Sequence, residues 1–380
     1  MKKLPLVFSG CLLGLTGAGN LILDTLPVLS HLLSLTGLIL WIYFLILHLF
    51  NWKETKQELT KPPLLSGMAT FPMAGMILST YVFRVFPHLP LVAQGLWWFS
   101  FLLDLALIAD FTIKFACPGR RVHATPSWTV LYVGIAVAAL TYPLVGIIEI
   151  AYATLSFGFL LTFYLYPLIY SDLKKHPLPV ALLGQEGIYC APFSLLLASL
   201  VRVGGESLPT WLLIVMILAS QSFFFFVLTR LPNILKQGFQ PAFSALTFPT
   251  IITATSLKMA QGILKLPFLN YLVLAETAIC LIILFFVLGA YLNWLRKKVL
   301  LEIAKPYFLW FDNLSSAHVW TKCFWDGHRT IFILVVFKNS SHCTSNCKSR
   351  TVQGMEEFHL AVCFITVTDL GTTGLEIFCV

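Results

Sequence analysis

One apolar stretch carries four residues, Ser244, Phe248, Ile251 and Thr255, that share a face if the stretch is helical. Hydroxyl groups at this spacing could solvate a small anion without supplying a full positive charge. No Lys or Arg lies in the middle of this stretch, so a deep, charged anion site is not expected. Weak binding by hydroxyls, helix-end dipoles and backbone N–H groups freed at kinks suits rapid passage better than tight capture.

Ionisable residues inside other apolar stretches form a second set of candidates, since such groups are functional suspects by default. Glu186 is the most interesting, and it has two interpretations: a proton carrier for coupled transport, or a carboxylate at a helix N-terminus that the dipole stabilises. Asp104 and Asp110 are predicted to be interhelical partners and not transport groups, with Lys114 as the candidate partner of Asp110. Glu276 lies in the last apolar stretch.

Composition sets the class of protein that positions these residues. Of 380 residues, 58% are hydrophobic and 11% are charged, and the mean hydropathy is +0.84. A soluble domain needs more polar surface than this, so an integral membrane protein is predicted. The net charge of +8 lies in short linkers, which is typical of membrane topology and argues against nucleic-acid binding.

Signatures of enzymes and bound groups are missing from the sequence. The chain has neither a phosphate-binding Gly-rich loop followed by Lys nor a His-Glu-x-x-His motif. Cys343 and Cys347 match a zinc pair poorly. We therefore expect no catalytic residue, no metal and no cofactor.

Ten apolar runs, numbered here as segments 1 to 10, are long enough to be transmembrane helices. They cover about residues 5–23, 28–50, 63–83, 89–113, 127–148, 150–170, 179–201, 208–229, 241–262 and 268–294. Linkers rich in Lys and Arg alternate with short linkers of low charge. The basic set includes Lys2 and Lys3, and it falls on one side if ten segments cross the membrane. This pattern predicts a multi-pass protein whose N- and C-termini are cytoplasmic.

A proline opens every odd-numbered segment, at intervals of about 60 residues, which indicates five helical hairpins in tandem. These prolines are Pro5, Pro63, Pro126, Pro179 and Pro241. The odd segments are rich in small residues and carry internal prolines, whereas the even segments are rich in Leu, Phe and Trp. We predict helix kinks at Pro72, Pro143 and Pro192. Small, kinked helices inside bulky ones form a ring around a central pore; the alternative is that the Gly and Pro residues only aid helix packing.

Three runs of residues resemble the tellurite-resistance/dicarboxylate transporter (TDT) family, which includes the plant slow anion channels. The residues 243–258 resemble its ninth helix, Ala191 to Leu195 its seventh, and Leu4 to Gly17 its first. The resemblance covers about residues 4–298. It implies ten helices in a quasi-fivefold ring, a homotrimer, and a pore through each protomer.

The resemblance also implies a role for Phe248, which matches the phenylalanine that plugs the family's pore. A bulky apolar ring in a narrow tube excludes water and blocks ions without binding them. Pro249 would loosen the helix beside this gate, and Ser244, Ile251 and Thr255 would line the pore. Helix chemistry alone favours a core phenylalanine that faces lipid or a neighbouring helix.

The predicted function is a channel or exporter for small anions in the cell membrane. By resemblance, its substrates are nitrate, chloride, sulfite and tellurite-like oxyanions or C4-dicarboxylates. The alternative is a proton-coupled C4-dicarboxylate carrier that uses Glu186; a membrane enzyme or scaffold is a third interpretation. Residues 1–298 form the membrane domain. The tail 299–380 has no assigned role, and one interpretation is a poorly ordered extension.

Overall fold

The computed structural model of the protein describes residues 4–117 and 122–314, with side chains as far as residue 298, and four strands between residues 320 and 379. The contacts divide the chain into two compact units, Met1–Trp294 and Leu295–Val380. Lys2, Lys3, Cys343 and Cys347 lie outside the described residues.

Helical stretches cover all ten apolar segments. The α-helices are α1 (Ser9–Leu21), α2 (Pro27–Phe50), α3 (Trp52–Glu58), α4 (Pro62–Gly67), α5 (Thr70–Val85), α6 (Pro90–Phe111), α7 (Ser127–Gly134), α8 (Val137–Thr141), α9 (Ile148–Lys175), α10 (Ala191–Gly204), α11 (Thr210–Lys236), α12 (Thr247–Leu264) and α13 (Pro267–Leu314). Stretches of 3-10 helix cover Leu6–Phe8, Tyr142–Leu144, Val180–Cys190, Gly205–Ser207 and Pro241–Leu246, and a π-helical turn covers Thr112–Ala116.

Seven of these helical spans are long and apolar enough to cross a membrane. They are Pro27–Phe50, Pro62–Val85, Pro90–Ala116, Ile148–Lys175, Val180–Ser207, Thr210–Lys236 and Pro267–Lys298. An eighth results if the bent pair Ser127–Gly134 and Val137–Leu144 counts as one span, and Leu6–Leu21 is a shorter apolar helix. The described residues therefore form a multi-pass helical membrane protein, in agreement with the predicted class.

The odd segments break in their first halves, close to the prolines that open them. Segments 1, 7 and 9 change from 3-10 to α-helix, the last two at Cys190 and Leu246. Segment 3 is interrupted at Met68 and Ala69, and segment 5 bends by 45° at Ile135 and Ala136. Each break alters the regular backbone hydrogen bonding that a continuous α-helix would have.

Burial separates the odd segments from the even ones. In the apolar stretches of segments 3 and 7, 78% and 61% of the residues are buried, against 28–39% in the five even segments. The even helices expose large apolar side chains, such as Leu160 at 70% and Ile282 at 69%. In water such surface would be unfavourable, so these faces suit lipid.

The odd segments contact one another in a closed cycle. Helix α1 packs against α5, α5 against α8, α8 against α10, α10 against α12, and α12 against α1. Small residues allow this close approach: a Cβ added at Gly184 would lie 2.4 Å from the carbonyl oxygen of Ala242, and one at Gly14 would lie 2.7 Å from Thr247 Oγ1.

A hydroxyl hydrogen bond joins each neighbouring pair in this cycle, and we call these five bonds the hydroxyl clasps. In order around the cycle they are Ser9 with Thr70 (2.6 Å), Ser66 to Ser127 (2.7 Å), Ser199 to the carbonyl of Ala136 (2.9 Å), Ser194 with Thr253 (2.9 Å), and Thr247 to the carbonyl of Gly10 (2.9 Å). Apolar association is weak in lipid, so hydrogen bonds and close packing hold transmembrane helices together.

The tail contains an antiparallel sheet, for which the sequence analysis predicted no fold. Strands β1 (Trp320–Asp326), β2 (Thr330–Lys338), β3 (Leu360–Val367) and β4 (Leu375–Cys379) pair in that order. Ile333 of β2 is opposite Cys323 of β1 and Ile365 of β3. The two central strands, β2 and β3, are apolar runs that are too short to span a membrane.

Candidate functional site

A cavity of about 70 Å³ lies between the odd segments at the level of their breaks. All five odd segments line it, with Gly10, Thr70, Gly134, Pro192 and Phe248 as one representative of each. Within the part of the chain that the structure describes, no residue of an even segment is in its wall. The cavity therefore lies inside the cycle of odd helices, which is where the sequence analysis predicts a pore.

The wall is apolar, and its described residues include no Asp, Glu, Lys or Arg. Its polar side chains are Thr70, Ser127, Thr129, Gln185 and Ser244. An ion in this cavity would lose part of its hydration shell without meeting an opposite charge, which costs several kcal/mol for a buried ion. This environment opposes the prolonged binding of any ion.

Phe248 lines the cavity and is 4% exposed. Its ring lies against segment 1, because a Cβ added at Gly17 would be 3.3 Å from Phe248 Cδ2. The preceding residue, Thr247, donates to the carbonyl of Gly10, and the following one, Pro249, is also in the wall. The ring of Phe248 thus packs against α1 on one side and borders the cavity on another.

The other residues of the predicted stripe divide into two groups. Ser244 lines the cavity, but its hydroxyl donates to the carbonyl of Pro241 at 3.2 Å. Ile251 is fully buried in an apolar cluster and is not in the wall, and Thr255 donates to the carbonyl of Ile251 at 2.8 Å. The hydroxyls of Ser244 and Thr255 therefore bond the backbone of their own segment.

The three predicted kink prolines occupy different positions. Pro192 is in the first turn of α10, where segment 7 changes geometry, and it lines the cavity. Pro72 is buried in the first turn of α5, directly after the break at Met68 and Ala69. Pro143 is in the 3-10 turn that ends segment 5, whereas the 45° bend of this segment is nearer its start, at residues 135–136.

Glu186 forms an ion pair with Arg230 of α11. The Oε2 atom of Glu186 is 2.9 Å from Arg230 Nε, and its Oε1 atom is 3.0 Å from Arg230 Nη2. Such a fork-shaped pair is a strong, directional contact. Glu186 is not in the cavity wall. The candidate proton carrier is therefore engaged in an ion pair with an even helix, outside the cavity.

Cations near the C-terminal ends of segments 3 and 9 contact the last turn of α1 and the residues that follow it. Lys258 donates to the carbonyl of Leu21 and to Asp24 Oδ2, both at 2.9 Å. Arg84 donates to Asn20 Oδ1 at 2.7 Å. Both interactions bind the end of segment 1 to its neighbours in the cycle.

The intramembrane carboxylates of the even helices are outside the cavity wall. Lys114 donates to Asp110 at 2.7 Å, which confirms the predicted partner, but the two residues are four apart in the one span Pro90–Ala116 and the pair is not interhelical. Asp104 is fully buried, but neither carboxylate oxygen has a partner among the described residues, so the predicted interhelical contact is not found there. Glu276 is 1% exposed, and neither of its carboxylate oxygens has a hydrogen-bond partner among the described residues.

A comparison with known families decides the class. The family model for the voltage-dependent anion channels (SLAC1) matches residues 3–292, which covers all ten segments. The chain belongs to this family. A comparison with curated proteins finds no match. The resemblance to the transporter family is confirmed, and SLAC1 membership makes the chain a transmembrane protein for anion transport in general.

Two features of this SLAC1 protein escaped the sequence analysis. Gln185 lines the cavity, but a single amide between Gly184 and Gly187 belongs to no motif. A polar residue on a proline-opened apolar segment was the available signal. The hydroxyl clasps were also missed, because Ser and Thr residues were assigned to ion contact and not to helix pairing.

Proposed function

We propose that the chain is a passive channel for small anions, with its conduit running between the five odd segments. The observation that supports this most is the cavity, whose wall includes residues of every odd segment and of no even segment. Membership of an anion-channel family supplies the class of ion. The cycle of helix contacts would then be the inner ring of a ten-helix, quasi-fivefold barrel.

In this proposal Phe248 is the gate. Its ring borders the cavity, and narrow apolar constrictions stop ions by excluding water. Pro249 and Ser244 line the conduit beside it, while Ile251 and Thr255 support the helix above. Pro192 and the breaks of the other odd segments widen the part of the conduit that is next to the gate.

A channel is favoured over a proton-coupled carrier by the position of Glu186. Its carboxylate is engaged by Arg230, and the cavity wall has no ionisable group of the kind that a proton carrier needs. The carrier remains the alternative for C4-dicarboxylates. Chloride, nitrate, sulfite and tellurite-like oxyanions are the candidate substrates.

The cellular setting completes the proposal. The protein lies in the plasma membrane in this proposal, and the basic linkers support a cytoplasmic location for both termini of its membrane domain. A homotrimer with one conduit in each protomer follows from the family resemblance.

Electrical recording from purified protein in planar bilayers tests the function. We expect anion-selective currents with chloride and nitrate, and reversal potentials that follow the anion gradient when the pH is equal on both sides. Currents that require a proton gradient would favour the carrier. An absence of anion flux from folded protein would contradict both transport hypotheses.

A further inference from the structure

Gln185 is a buried amide whose chemistry nothing in the fold uses. It lies in the 3-10 stretch Val180–Cys190, lines the cavity and is 5% exposed. Its Oε1 atom has no hydrogen-bond partner among the described residues. Its Nε2 atom, which carries the two N–H donors, also forms no hydrogen bond with the described residues. Leaving a buried polar group without a partner costs about 1–3 kcal/mol, so a ligand in the cavity that accepts a hydrogen bond from Nε2 would stabilise the side chain.

The backbone around Gln185 is held firmly. A Cβ at Gly184 would lie 2.4 Å from the carbonyl oxygen of Ala242, and one at Gly187 would lie 3.0 Å from that of Ala245. The adjacent Glu186 is bound by Arg230. These contacts fix residue 185 on both sides, and a fixed backbone reduces the entropy lost when its side chain binds a ligand.

Three of the four hydroxyls that share the wall with Gln185 already donate their protons to backbone carbonyls. Thr70 donates to the carbonyl of Gly67 at 2.9 Å, and Thr129 donates to that of Pro126 at 2.8 Å. An amide has two N–H donors, whereas a hydroxyl has one. Among the described residues of the wall, Gln185 is therefore the side chain best able to donate to an anion.

We propose that Gln185 contacts the permeating anion and sets the selectivity of the conduit. Its amide donates to a monovalent anion in the cavity beside Phe248. A neutral donor stabilises one negative charge weakly enough for release, and no cation in the wall compensates the larger desolvation of a dianion. This role rests on the proposed channel function.

The test compares Gln185→Leu with Gln221→Leu. Gln221 is a matched control, because its amide is also buried and without a conventional hydrogen bond, but it lies on α11 outside the cavity wall. Reversal potentials with nitrate on one side and iodide on the other give relative permeabilities. Nitrate accepts hydrogen bonds better than iodide, so Gln185→Leu should lower the nitrate-to-iodide permeability ratio by about tenfold, and Gln221→Leu should leave it unchanged.

Two further variants cover the possibility of misfolding. Gln185→Asn keeps the amide but moves it away from the cavity by one methylene group. It should lower the nitrate-to-iodide permeability ratio by less than Gln185→Leu does. Gln185→Glu adds a negative charge and should reduce anion current more than tenfold. If the wild type conducts anions and all three variants keep its permeability ratio, the role of Gln185 is overturned and the channel function stands; if the wild type conducts none, both fail.

Discussion

The contact between Phe248 and Gly17 allows the gate to be tested from two sides. Phe248→Ala removes the ring, and a conduit that the ring occludes should then conduct at least tenfold more anion current. A tenfold rise corresponds to a barrier lower by about 1.4 kcal/mol. Gly17→Ala leaves the ring in place but adds a methyl group 3.3 Å from both Phe248 Cδ2 and Ile251 Cγ2. Ile251 is fully buried, whereas Phe248 borders the cavity, so the ring is the neighbour that can give way, towards the cavity. We expect this variant to conduct less than the wild type.

The stability of Phe248→Ala separates a gate from a core residue. Truncation of a fully packed phenylalanine costs about 3–5 kcal/mol. Phe248 already borders a cavity of about 70 Å³, so part of its packing is missing and we expect a loss of about 2–3 kcal/mol. Phe243 is the matched control: it is 2% exposed on the same segment, makes an edge-to-face contact with Phe239 and is outside the cavity wall. Phe243→Ala should lose more stability without gaining current.

The assay is anion current per protein in bilayers, with thermal unfolding in detergent measured on the same preparations. The decisive comparison is the double variant, Gly17→Ala with Phe248→Ala. Because the methyl group acts through the ring, it should have no effect on current once the ring is gone. Unchanged current in a folded Phe248→Ala protein, or an equal effect of Gly17→Ala with and without the ring, would refute the gate.

Three further predictions follow from the contacts around the conduit. Glu186→Gln should lower stability by about 1 kcal/mol or less, because Arg230 is partly exposed, and should leave the pH dependence of flux unchanged; a changed pH profile would favour the carrier. Thr247→Val removes the clasp to Gly10 and should cost about 1 kcal/mol in thermal unfolding, with Thr247→Ser close to wild type; equal losses would deny the clasp its role. Asp104→Asn should leave current and melting temperature unchanged or raise the latter, and a lost current would assign Asp104 to transport.

The helical segments and their sorting could be predicted because both depend on local composition. Apolar runs of spanning length identify helices, and prolines such as Pro179 and Pro241 mark the starts of stretches that the structure confirms. The alternation of small and bulky residues predicted which segments are buried, since small residues permit close backbone contact.

The details of the site depend on contacts between distant residues and could not be predicted in the same way. Segment 5 bends beside Gly134, where a Cβ would lie 2.7 Å from the sulfur of Met73, and not at Pro143. The partner of Glu186 is 44 residues away on another helix. No local pattern encodes either contact, because each depends on how the segments are arranged in three dimensions.

The hydroxyl clasps have a consequence for how such a conduit could be tuned. Each clasp contributes on the order of 1 kcal/mol, so the loss of one clasp leaves the close packing and the other four clasps to hold the inner helices together. Replacing one hydroxyl by a methyl group would loosen the contact between one pair of inner helices and leave the other four contacts intact. In the proposed channel, the diameter of the conduit would therefore change in small steps through single substitutions at positions that do not contact the ion.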